Sequence, residues 1–355
     1  MRLKALKKNL VKKGKLPYLI TDLVNIRYCT GFSGSYGCLL VDGERTYFIS
    51  DSRYEEYARS LLGDDVTFVL QKKSLPEALK KLLGGIGAQR LNLEEHNLPL
   101  SMFMQLKKEL PDTELLPAGD EVNLLRMCKD DSEIELIRKA VRIADDCFRH
   151  ILRIIKPGVR EWDIYVEIDY FYKKNGCRRT SFDSIVASGK SSSMPHYSTS
   201  MTKRVNGGDI VMIDMGCEYE GYNSDLTRTV FVNSVDAEFK NIYTTVREAQ
   251  ERALSVIRPG ISAGSCDGTA RRIIKDAGYG GAFGHSLGHG VGLEVHELPA
   301  LKSGGTAKLK KNMVITVEPG IYLPEKGGVR IEDMVLVTDN GVEILTESPK
   351  ELFIL

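Results

Sequence analysis

The sequence has almost no net charge. Lys and Arg number 49 against 48 Asp and Glu, a formal charge of +1, which provides no electrostatic footprint for nucleic acid or an anionic membrane. No apolar run approaches the roughly 20 residues that span a bilayer. The opening stretch MRLKALKKNLVKKGK is basic but has no apolar h-region of a secretory leader. Its Leu3, Leu6 and Leu10 fall at helical spacing and predict an amphipathic surface helix. Cysteine is sparse and odd in number, seven residues with no C-x-x-C pair. That excludes a zinc knuckle or a dithiol redox motif and predicts thiols kept reduced in a cytoplasm. Ser286 and the run Ser191-Ser192-Ser193 have no G-x-S-x-G elbow around them, so a serine hydrolase is set aside.

Histidine is scarce too, with six in 355 residues, yet three of the six lie in HSLGHGVGLEVHE, residues 285–297. A lone histidine usually fills core space. His285, His289 and His296 threaded with Gly288, Gly290 and Gly292 read otherwise, because glycine permits tight turns and close backbone approach. Imidazole is both a ligand for Zn, Mn, Co or Fe and a proton shuttle. This stretch is expected to form one wall of a catalytic site.

A chain of this length suits two domains. Residues 1–122 read as an α/β unit, with strands over 16–21, 37–41 and 46–50 and helices over 53–62, 75–83 and 101–109. Asn25–Gly34 reads as a strand followed by a loop. Pro111, Pro117 and Gly119 punctuate the end of the unit. Residues 123–355 open with a long amphipathic helix, expected to be capped by Ser132 and Glu135, whose apolar stripe is Ile134, Ile137, Val141, Ala144 and Phe148. An internal repeat follows: IIKPGV at 154–159 and VIRPGI at 256–261, 102 positions apart, each leading to a helix that stops at a glycine, Gly176 or Gly278. Two related halves facing one another would place a site between them.

Each half carries a strand with an acid in apolar surroundings. Asp214 ends IVMID and Glu318 ends VITVE. Asp225, on a returning strand, is expected opposite Asp214 around a turn at Tyr219–Glu220. Glu332 is expected opposite Glu318 around PEKGG, residues 324–328. His196 and His296 occupy corresponding places in the two halves. Four converging carboxylates repel one another and take up protons. Divalent metal removes that penalty, and with imidazole the set is large enough for two ions.

These residues resemble the proline-specific branch of the pita-bread metallopeptidases, the Xaa-Pro aminopeptidases and Xaa-Pro dipeptidases (prolidases). The stretch at 285–297 fits H-x-x-x-H-x-x-G-x-x-x-H-E, VEPGIY at 317–322 and RIED at 330–333 fit two further motifs, and NIRYCTGFSG at 25–34 resembles the branch's N-terminal domain. The resemblance implies a creatinase-like α/β domain followed by an α+β pita-bread catalytic domain with an internal pseudo-two-fold repeat. It implies two divalent ions per chain, Mn first and Co, Zn or Fe as alternatives, held by Asp214, Asp225, His289, Glu318 and Glu332. Glu318 would carry the proton. His196 and His296 would stabilise the developing oxyanion, and His196, His285, His296 and Arg330 would contact a proline-containing peptide. It further implies a cytoplasmic homodimer. No ligand position departs from the pattern, which argues against creatinase itself and against a non-catalytic binding module. A methionine aminopeptidase would share the five ligands but lacks the N-terminal domain and a histidine at position 285. Arg330 and His296 suit a dipeptidase or an aminopeptidase equally.

Overall fold

The computed structural model describes residues 2–355. The chain divides into two compact units, one ending at Arg126 and the other beginning at Met127.

The first unit is built on a six-stranded mixed sheet. Its central strand, Tyr18–Ile20, runs antiparallel to Cys38–Val41 and parallel to Arg90–Leu93. Leu19, Leu40 and Leu91 from these strands and Ile49 from the adjoining strand Thr46–Ser50 pack with Leu79, Leu83 and Leu106 from the covering helices. Leu3, Leu6 and Leu10 are buried along helix Arg2–Lys13, as their spacing predicts. Asn25–Gly34 differs from the sequence reading. Leu23–Thr30 is a helix, started by the Asp22 carboxylate accepting Val24 N and stopped by Gly31 at φ 79°, a backbone region that favours glycine. Helix Glu121–Arg126 belongs to this unit: Arg126 Nη1 donates to Asn25 Oδ1 at 2.8 Å, and Glu121 pairs with Lys13 and Lys15.

The second unit contains the repeat. Helices Asp131–Ile151 and Glu161–Lys174 pack on a four-stranded sheet; Ala237–Val256 and Ala263–Ile274 pack on a five-stranded one. Gly158 and Gly260 (φ 92° and 87°) and Gly176 and Gly278 (φ 85° and 90°) turn the chain at equivalent points. The long helix is capped two residues before the expected position, at Asp130. Asp130 accepts Glu133 N at 2.9 Å while the Glu133 carboxylate takes Asp130 N at 3.0 Å, a reciprocal box that outcompetes Ser132, whose hydroxyl turns back to Asp130. The predicted apolar stripe of this helix is buried throughout.

Arg228 ties the two halves together. It is 1% exposed, and its guanidinium donates to Asp333 Oδ1 at 2.8 Å, to the carbonyls of Ser348 and Pro349 at 2.6 and 3.1 Å, and to the carbonyl of Glu332. Burial works against an ionised Asp333, but Arg228 and Lys350 hold its carboxyl below the usual range. Removing one partner of a buried pair leaves its other members without compensation. Arg228→Met is therefore expected to cost about 3 kcal/mol, seen as a lower Tm for the second unit; a Tm within a degree of the parent would contradict this account.

Candidate metal centre and active site

Strand ends deliver the acids. Asp214 lies in Ile210–Met215, and Asp225 stands just before Leu226–Phe231. Their ladder places Asp214 opposite Thr227, two residues from the expected partner. The turn falls at Glu220–Gly221, both at positive φ (50° and 89°) between the paired Tyr219 and Tyr222, the form a two-residue hairpin favours. A shift of two residues keeps the same faces together, so Asp214 and Asp225 still point one way. The other hairpin has the expected register. Val317 pairs with Asp333 and Gly320 with Arg330, which sets Glu318 across from Glu332, and Glu325 sits at the turn with φ 62°.

His289 enters from strand Gly288–Gly290. A Cβ at Gly288 would lie 2.1 Å from the Thr316 carbonyl oxygen, so only glycine lets this strand approach its neighbour. The Thr316 hydroxyl accepts His289 N at 3.0 Å and donates to Glu318 Oε1 at 3.1 Å. His289 Nδ1 donates to its neighbour's carbonyl, Gly290 O, at 3.0 Å, which turns Nε2 towards the acids: 3.3 Å from Glu318 Oε1 and 3.6 Å from Asp225 Oδ2. Donor atoms of Asp225, His289 and Glu332 lie within 4.8 Å of one another.

The electrostatics call for a cation. Asp214 Oδ1 and Glu332 Oε1 are buried without a hydrogen-bond partner, an expensive state for a carboxylate oxygen unless something positive meets it. Burial, with the charges of Glu332, Asp214 and Glu318, pushes the Asp225 carboxyl well up; burial, Glu318 and Asp214 do the same to Glu332. Burial also raises Asp214, against the pull of Arg330. Glu318 goes the other way. Burial would raise it, but the hydrogen bond and charge of His289 hold it below the ordinary value, and His289 is correspondingly raised despite its own burial.

A second set of groups braces the acids. Arg330 Nη2 donates to Asp214 Oδ2 at 2.5 Å, Nε to Thr227 Oγ1 at 3.0 Å and Nη1 to Tyr322 OH at 2.8 Å. Thr227 in turn donates to Glu332 Oε2 at 2.7 Å. His285 Nδ1 donates to Ser286 O at 2.8 Å, leaving Nε2 to accept from Tyr322 OH at 2.9 Å. Burial pushes Tyr322 up to about 12, which keeps that proton in place, and lowers His285. His296, its ring centroid 4.3 Å from that of His289, is lowered by burial and then by that neighbour. All nine residues singled out in the sequence line one cavity of about 630 Å³. Tyr322, which the VEPGIY motif by itself leaves open between core and site, belongs to the site; sequence reasoning missed Thr227 and Thr316. The only signal for Thr227 was its position two residues after Asp225, on the same strand face.

Residues 135–339 match the profile of Metallopeptidase family M24, and residues 2–128 that of the Creatinase/Prolidase N-terminal domain. The chain belongs to metallopeptidase family M24. Among solved structures it is similar to an Xaa-Pro dipeptidase from Bacillus anthracis (40% identity, TM-score 0.96, covering 100% of this chain and 99% of that one). It is also similar to an X-Pro aminopeptidase from Thermotoga maritima (38%, TM-score 0.87, 95% and 97%). The Xaa-Pro dipeptidase of Pyrococcus furiosus is 40% identical over 339 residues, 94% of each chain. M24 membership implies divalent metal ions. The unmatched oxygens of Asp214 and Glu332 and the inward Nε2 of His289 are donors that fit them.

Metal uptake should therefore displace protons. Asp225 and Glu332 are raised and bind metal only when ionised, so apparent affinity should weaken as pH falls and loading at pH 7 should release protons. Because their folded pKa values lie above the unfolded ones, their contribution to the stability of metal-free protein is present at low pH and is lost as pH rises through the folded values. Calorimetric titration with Mn²⁺ in two buffers of different ionisation enthalpy measures the release; identical heats in both would contradict the assignment.

Proposed function

We propose that this chain hydrolyses the peptide bond preceding proline, in Xaa-Pro dipeptides or N-terminal Xaa-Pro peptides, with two divalent ions held by Asp214, Asp225, His289, Glu318 and Glu332. Mn²⁺ is the first choice, because mostly oxygen ligation with one imidazole suits it; Co²⁺, Zn²⁺ or Fe²⁺ are alternatives. The observation that carries the reading is the convergence of four carboxylates, Asp225 and Glu332 buried and Asp214 and Glu318 partly so, and His289 on one cavity that also holds His196, His285 and His296, with an oxygen of Asp214 and one of Glu332 unmatched. Relatives named for Xaa-Pro or X-Pro substrates support the choice of bond.

Two ions held by Asp214, Asp225, His289, Glu318 and Glu332 would supply a water of lowered pKa and a Lewis acid for the scissile carbonyl. The chain supplies the rest. Glu318, kept ionised by His289, accepts the nucleophile's proton and returns it to the prolyl nitrogen as that nitrogen leaves. His196 and His296 reach into the cavity from exposed positions and donate to the developing oxyanion. Tyr322 and His285 form a directed chain of hydrogen bonds from Arg330, which positions the imidazole beside the substrate. An Xaa-Pro bond lacks the N–H that general peptidases grip, so a site relying on carbonyl and ring contacts is at no disadvantage.

Metal analysis of protein reloaded with Mn²⁺ should approach two ions per chain, and Asp225→Ala should lower that number and abolish turnover. His296→Ala should keep both ions and lose roughly 10²–10³-fold in turnover. Gly-Pro-Ala should be cleaved and Gly-Ala-Ala and methionyl peptides left nearly untouched. Comparable cleavage of Gly-Ala-Ala would overturn proline specificity, and preferential cleavage after methionine would favour a methionine aminopeptidase.

Assembly as a cytoplasmic homodimer belongs to the same proposal. All seven cysteines are unbridged, the state a reducing compartment maintains. No helix among the described residues is long and apolar enough to cross a membrane. Mass measurement in solution tests the dimer; a monomer with full activity over a wide dilution range counts against it.

A further inference from the structure

A dipeptidase and an aminopeptidase differ in one chemical requirement. A free Xaa-Pro dipeptide carries a carboxylate on the very residue whose nitrogen leaves, one residue or about 3.5 Å of chain from the scissile bond. That charge must enter the cavity with the proline ring. Taking a carboxylate out of water costs several kcal/mol unless a cation or several donors meet it. A peptide that continues past proline brings a neutral amide to the same place.

Among the described residues lining the cavity, Arg330 is the sole Lys or Arg. It is 3% exposed, and each of its three nitrogens already donates: Nη2 to Asp214, Nη1 to Tyr322 and to the Pro195 carbonyl at 3.4 Å, and Nε to Thr227. Turning it to a substrate would break its ion pair with Asp214 and the chain of bonds to Tyr322 and His285. His285 has both ring nitrogens occupied, and His289 faces the acids. His196 and His296 remain, and an imidazole N–H can meet a peptide carbonyl as well as a carboxylate, so their presence does not require the free acid.

The rest of the wall points the same way. Apart from the four acids of the metal centre, the cavity's one further carboxylate is Asp183, which is exposed and repels a second negative charge. Beside it, Trp162 and Tyr165 stack at 4.7 Å with their planes 12° apart, and Tyr165 OH donates to Asp183 Oδ1 at 3.4 Å. Phe182 lines the cavity beside them. Flat aromatic faces of this kind accept a continuing, uncharged chain.

We infer that the cavity is built for peptides that extend beyond an N-terminal Xaa-Pro and that it discriminates against the free dipeptide acid. This rests on the Xaa-Pro reading above, whose supporting relatives carry both kinds of name.

The test compares kcat/KM of the Mn²⁺-loaded full chain for Ala-Pro, Ala-Pro-NH₂, Ala-Pro-Ala and Ala-Ala-Ala. Ala-Pro and its amide differ at one group, so their ratio isolates the charge. The amide and the tripeptide should exceed Ala-Pro by at least tenfold, about 1.4 kcal/mol, mainly through KM. Ala-Pro cleaved as well as its amide, or better, overturns the inference while leaving Xaa-Pro hydrolysis standing. Ala-Ala-Ala cleaved as fast as the proline peptides, or no proline peptide cleaved at all, sinks the underlying reading and the inference with it.

Discussion

The mutual repulsion of four carboxylates converging on one largely desolvated cavity wall is the constraint around which the second unit is organised. Two unit charges a few ångströms apart in such surroundings interact with several kcal/mol, and here each acid has more than one like neighbour. The chain relieves part of this itself. Arg330 neutralises Asp214, and His289 neutralises Glu318. Asp225 and Glu332 are left with no comparable partner and are the two that burial and their neighbours push furthest towards the protonated form. The compensation is half complete, and the divalent ions that membership of family M24 implies carry the charge that would complete it. A site fully neutralised by its own side chains would be more stable without metal and would bind it less well.

The duplicated architecture explains how such a cluster can be held. Each half presents the end of one hairpin, and the two ends meet. Neither half could bury two acids alone against its own sheet, since a single sheet face has apolar neighbours and few donors. Placed end to end, the hairpins share supports: Thr227 of one half donates to Glu332 of the other, and Arg330 of the second half reaches Asp214 of the first. Arg228 secures the same junction from behind through the Glu332 carbonyl and Asp333. The groups that tune the acids are thus the groups that fasten the halves.

Much of this is legible in the sequence because strands have a period of two. The register of Glu318 and Glu332 follows from a turn signal that admits one centre, Glu325. For Asp214 and Asp225 the turn lies one residue further along than expected, and the register moves by two. The side chains keep their faces, so the pair remains correctly grouped although its partners are wrong. A shift of one residue would have scattered the site. Helix ends are less forgiving. Asp22 and Gly31 bracket a helix over a stretch that reads as strand and loop, and Asp130 displaces Ser132 as a cap because it closes a reciprocal box with Glu133. Thr227, Thr316 and the aromatic wall at Trp162, Tyr165 and Phe182 have no local signature. Their roles arise from contacts between segments distant in the chain, and a threonine in a strand is the ordinary case.

Buried acids elsewhere in the chain show what separates a structural carboxylate from one awaiting a ligand. Glu161 is fully buried, yet both of its oxygens are matched: Oε1 accepts Ser188 N and Oγ at 2.8 and 2.6 Å, and Oε2 accepts Tyr197 OH and Ser200 N at 3.0 and 3.2 Å. It thereby pins the loop that carries His196. Asp145 is matched likewise by the backbone of Glu347 and Ser348, and Glu94, pushed up to about 7 by burial, by Thr21, Asp22 and Asn25. Asp214 and Glu332 each have one oxygen bound and one bare, both in the same cavity. Burial alone therefore does not mark the functional acids, and neither does a raised pKa, since Glu94 has both. The distinguishing feature is that the unmatched oxygens belong to residues lining the same cavity as Asp225 and His289.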